Sequence, residues 1–72
     1  MAMPITIAEP GATVRIARIT GNDQVRNHLH ELGFIENDEI TVINKIGENM
    51  ILKVKDGRIA LDQTMARRIM VQ

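Results

Sequence analysis

The stretch HLHELGFIENDEI, His28 to Ile40, holds both histidines of the chain, four carboxylates and its only aromatic residue. Read as a strand, it puts His28 and His30 on one face, where they could grip one metal ion. Read as a helix, it turns the two rings roughly 200° apart and leaves no shared ion. The residues upstream decide between the two. Val25, Leu29 and Leu32 recur at i, i+4 and i+7, Asn22 or Asp23 can cap the first turn, and Gly33 sits where a helix ends at C′. The spacing therefore predicts a helix of about ten residues, with His28 at the edge of its apolar face and His30 in solvent. No metal site is expected. The weak candidates are His28 and Glu31, one turn apart, but two ligands without cysteine or a third fixed donor make a poor site.

Beyond Gly33 the period changes from helical to alternating. Phe34 follows the cap glycine, where a residue packs back onto its helix, so it is expected in the core. Glu36-Asn37-Asp38 reads as a turn with Asn37 at positive φ, feeding a strand over Glu39–Asn44 with Ile40 and Val42 inward. Ile46–Asn49 is another turn, Met50–Lys55 alternates as a strand, and Asp56-Gly57 is the strongest short hairpin signal in the chain. A strand at Arg58–Leu61 comes next. Asp62 then caps one helical turn in QTMARR, and Ile69–Val71 closes as a strand. Upstream of the helix, Pro10-Gly11 marks a turn. Ala12–Ile19 after it is a strand whose phase slips at Ile16-Ala17, as at a bulge or a barrel corner.

Five short strands, one helix and one helical turn in 72 residues leave too little chain for a two-layer α/β sheet. They predict a mostly β fold, a small, strongly bent sheet closed as an SH3-like five-stranded barrel, with residues 1–72 as a single domain.

Composition narrows the chemistry. Nine Lys and Arg balance nine Asp and Glu, so the electrostatic footprint of general nucleic-acid binding is missing, and one aromatic ring cannot stack a run of bases. With no cysteine there is no disulfide, thiolate zinc site or thiol nucleophile, which accords with a cytoplasmic protein. No apolar run approaches the roughly twenty residues that span a bilayer. Serine is absent, threonine is the only hydroxyl, and no Gly-rich phosphate loop opens a helix, so nothing here assembles into a nucleophilic triad and a stand-alone enzyme is not expected.

The pattern PGATVRIARITG, HLHELGF, NDEITVI and ILKVKDGRIALDQTMARRIMV, in that order, resembles the FeoA family. The likeness runs from about Ile7 to Val71, and its most specific parts are Leu29-x-x-Leu32-Gly33-Phe34 and Ile59-Ala60-Leu61 followed by Ala66, Ile69 and Val71. The family usually has Gly where this chain has Asn37, the next-best residue for a left-handed turn. The resemblance implies an SH3-like barrel, no enzymatic activity and no cofactor. It further implies a cytoplasmic accessory role in ferrous iron uptake, exerted by docking on the G-domain side of the FeoB membrane transporter. The alternative it leaves is a general SH3-like adaptor, or a detached regulatory domain related to the C-terminal domain of iron-dependent repressors. Candidate docking residues are the Gly33, Phe34, Ile35 corner and a basic set, Arg67 and Arg68 beside Lys53 and Lys55.

Overall fold

A computed structural model describes residues 1–55 and 57–72. The chain runs β1 (Met3–Pro4), a 3-10 turn (Ile5–Ile7), β2 (Thr13–Ile19), α1 (Asp23–Leu32), β3 (Glu39–Ile46), β4 (Asn49–Val54), β5 (Gly57–Asp62), α2 (Gln63–Ala66) and β6 (Ile69–Val71). All pairings are antiparallel, in the order β1-β6-β2-β3-β4-β5.

Two expectations need correcting. Six strands form, not five. The sixth is β1, where Met3 lies opposite Val71 and Pro4 opposite Met70. A two-residue strand holding a proline has no period of its own to read, and it exists only because β6 offers it an edge. The hydrogen-bonded ladder is also open rather than closed: among the described residues β1 and β5 are its two edges. Asp56, half of the Asp56-Gly57 hairpin signal, lies outside the described residues. Gly57 itself is already in β5, opposite Val54.

The helix forms as its spacing predicts. The Asn22 side chain accepts the Val25 N–H at 2.9 Å and caps the first turn. At the other end Gly33 has φ +108°, its N–H reaches the His30 carbonyl at 3.0 Å, and the Phe34 N–H reaches the Leu29 carbonyl at 3.0 Å. This is the paired 5→2 and 6→1 bonding of a Schellman cap, which brings the C″ residue back over the last turn. Phe34 and Leu29 are accordingly both fully buried in the same core.

The phase slip in β2 is a bulge. Ile16 lies opposite Val71 but Arg18 opposite Met70, so Ala17 is the extra residue. The bulge marks an exchange of partners: Thr13–Arg15 pair with β3, Ile16–Ile19 with β6. A second register shift falls between Val42 and Asn44, where β3 pairs with β4. The core combines both halves of the sheet with the helix, and all its buried residues are apolar, Phe34, Ile5, Ile16 and Leu29 being the largest fully buried. Among the described residues no helix is long and apolar enough to cross a membrane.

Candidate docking surface

The corner that follows α1 is tied to β2 first by backbone bonds. Asn37 has φ +75°, the one positive value outside glycine among the described residues. Its N–H donates to the Ile16 carbonyl at 2.8 Å, and the Ile16 N–H donates to the Asp38 carbonyl at 3.0 Å. The turn therefore adds a pair of bonds to β2 just where that strand leaves β3. Arg15 closes over it, donating through Nη1 to the Asn37 carbonyl and through Nη2 to Glu39 Oε2 at 3.4 Å.

Two grooves meet at this corner. One is lined by Arg15, Gly33, Asn37, Asp38, Glu39, Thr41, Lys53 and Lys55, among others. Its neighbour is floored by Leu32, Ile35, Val54 and Ile59 and rimmed by Asp38, Lys55 and Arg58. Of the expected docking residues, Gly33, Ile35, Lys53 and Lys55 thus come together here. Ile35 is exposed to 42%, whereas Phe34 is fully buried and supports the corner from within.

Arg67 and Arg68 stand elsewhere. The Arg68 carbonyl accepts the Thr20 N–H at 2.8 Å and its side chain packs near Gly21, while Arg67 Nε reaches back to the Gln63 carbonyl at 3.4 Å. No hydrogen bond, ion pair or groove among the described residues joins them to Lys53 or Lys55. Lys53 lies opposite Arg58 near the start of β5, whereas Arg67 and Arg68 follow α2, which begins at the other end of that strand, so the expected single basic face is two separate places. Sequence reasoning missed Arg15 and Arg58, whose place in the grooves depends on strand pairing and whose only available sign was the alternation of their strands, and Asp38, which the turn before β3 brings to both grooves.

The histidines part as the helix requires, but His30 is not in solvent. It is half-buried, with Nε2 2.9 Å from Glu36 Oε1 across the Gly33–Ile35 corner. The Glu36 carboxyl is held below the usual glutamate range, first by its own backbone N–H and then by His30 and Arg26, against an opposing effect of partial burial. His28 is exposed and shares a shallow groove with Glu31, Gln24, Asn27, Val25 and Met65. No group of three or more His, Cys, Asp or Glu suited to a metal ion occurs among the described residues.

Compared with known proteins, the sequence matches the FeoA domain over residues 3–72. The chain belongs to the FeoA family. No curated protein matches this FeoA-family chain in sequence. Among solved structures, a crystal structure of an iron uptake regulatory protein, FeoA, is 26% identical with a TM-score of 0.90, over 100% of this chain and 97% of that one. The FeoA of Stenotrophomonas maltophilia, solved with zinc, is 26% identical with a TM-score of 0.85, over 99% of this chain and 91% of that one. That protein is described as a procaryotic SH3 domain protein and a candidate activating factor of ferrous iron transport. The SH3-like fold is thus shared. A manganese-dependent transcriptional repressor, 19% identical with a TM-score of 0.90, has the same fold in 40% of its chain, covering 99% of this one.

Proposed function

We propose that this FeoA-family chain is a non-catalytic, cytoplasmic accessory protein of ferrous iron uptake that docks on the G-domain side of the FeoB transporter. The observation that carries the reading is the match to the FeoA domain along residues 3–72. The description of the Stenotrophomonas relative as a candidate activating factor of ferrous transport agrees with it. The residue inventory points the same way, with neither cysteine nor serine to serve as a nucleophile. Docking is assigned to the corner where Gly33, Ile35, Lys53 and Lys55 meet, an exposed apolar side chain beside two exposed cations. Such a surface suits recognition in which charge sets the encounter and a small apolar contact holds it.

The test is genetic and biochemical. A strain lacking this chain but retaining FeoB should lose ferrous uptake, and plasmid-borne chain should restore it. Normal uptake in the deletion strain would remove the transporter role and promote the second reading, a detached regulatory domain, which the shared fold with the manganese-dependent repressor favours. Turnover of nucleotide by the purified chain would overturn the non-catalytic assignment.

A further inference from the structure

The outer face of the sheet carries a row of four side chains in register across β2, β3, β4 and β5. Thr13 lies opposite Thr41, Thr41 opposite Lys53, and Lys53 opposite Arg58. The two threonine hydroxyls bond at 2.9 Å, so that end of the row is internally satisfied. The other end places two cations directly across from each other, an arrangement that costs stability in an antiparallel pair. Among the described residues the acidic groups nearby are engaged otherwise. Glu39 faces Arg15 at 3.4 Å, Asp38 lies 3.9 Å from Lys55, and the Asp62 carboxylate caps α2 by accepting the Met65 N–H at 2.9 Å. Among the described residues neither Lys53 nor Arg58 has a carboxylate partner.

Arg58 stands on β5, which has no second neighbour in the sheet among the described residues. In an antiparallel pair, alternate backbone N–H and C=O groups of an edge strand point away from its partner and can template another strand. Charged residues on an edge commonly deter such pairing. That role does not account for Lys53, which sits one strand inside the edge, where no guard is needed. The opposite face of β5 differs in kind. Ile59 is half-buried and, with Leu32, Ile35 and Val54, floors the groove that Gly57 and Arg58 of β5 also line. One edge thus offers cations on one face and an apolar groove on the other, at alternate residues.

We propose that β5 accepts an extended peptide segment as an added strand, one whose residues alternate between acidic and apolar. Its backbone pairs with the free side of Gly57–Asp62, its carboxylates meet Arg58 and Lys53, and its apolar side chains enter the groove at Ile59. The charge pair then gains a neutralising partner that none of the described residues provides. This names the chemistry of the docking partner in the function proposed above and rests on that reading for its biology. The experiment contains no transporter, so the two can fail separately.

The test is a titration of the full-length, 15N-labelled chain with a capped hexapeptide of alternating valine and glutamate, followed by amide shifts and hydrogen exchange. Saturable shifts centred on Gly57–Asp62 are expected, with slowed exchange at alternate β5 amides. Affinity should fall as salt rises. Lys53→Glu with Arg58→Glu should weaken binding by about tenfold while keeping a dispersed, folded spectrum, and Lys53→Arg with Arg58→Lys should retain it. A valine–lysine peptide should not bind. Equal binding of that peptide, shifts centred away from β5, or no saturable shift at millimolar peptide would overturn the assignment.

Discussion

The Asn37 N–H reaches across the corner after α1 to the Ile16 carbonyl, 2.8 Å away, and so ties a left-handed turn to the strand residue beside the β2 bulge. Two irregularities in the backbone support each other. The turn gives Ile16 the hydrogen bonds that β3 no longer supplies, and the strand holds Asn37 at a φ that most side chains resist.

Substitution at Asn37 separates backbone preference from side-chain contact. Asn37→Gly is expected to be neutral or slightly stabilising, since Arg15 bonds the carbonyl, which any residue retains. Asn37→Val should cost about 1–2 kcal/mol, because a β-branched residue is strained at this φ. Urea unfolding of the two variants checks the difference, and a harmless valine would disprove the strain.

Phe34 and Ile35 are neighbours with opposite roles. Phe34→Ala empties the centre of the core and should cost about 3–5 kcal/mol, comparable to the whole stability of a domain this small. Ile35→Ala, at an exposed position, should stay within about 0.5 kcal/mol. Thermal melts by circular dichroism read both; a folded, stable Phe34→Ala would show that the corner does not depend on its plug.

Glu36 gives the fold an acid-sensitive contact. A carboxyl held below its usual range in the folded state contributes stability above that range, lost as pH falls through the folded value. Glu36→Gln should therefore lower the melting temperature near neutrality, and the gap from the unaltered chain should close in acid. Melts from about pH 7 down to about pH 3 test this; a gap that does not change with pH would mean the carboxylate charge contributes nothing.

The helix geometry makes a definite statement about metal. With His28 exposed and His30 turned to Glu36, added Fe2+ or Zn2+ should bind weakly, without a fixed 1:1 site. Saturable NMR shifts at both histidines with equimolar metal would contradict it.

Reversal of surface charge locates the docking surface. Lys53→Glu with Lys55→Glu should weaken rescue of ferrous uptake while stability stays within about 0.5 kcal/mol. Full rescue by that variant, with loss on reversing Arg67 and Arg68, would move the interface to the segment between α2 and β6.

What the sequence determined by itself is the local structure. The helix from Asp23 to Leu32, its Asn22 cap, the Gly33 stop, the Asn37 turn and the Asp62 cap all follow from propensity and spacing, because each depends on bonds between residues a few positions apart. Burial of Phe34 was legible for the same reason, since a Schellman cap turns its C″ residue inward. Tertiary structure alone decided what depends on pairing across the chain. Met3–Pro4 is a strand only where β6 receives it. His30 meets Glu36 only because the corner folds back. Lys53 and Arg58 oppose each other near the start of β5, and stand apart from Arg67 and Arg68, which follow α2 from the other end of that strand, through the register of β4 with β5. A period of two or 3.6 tells each residue its face, but not which distant strand will share it.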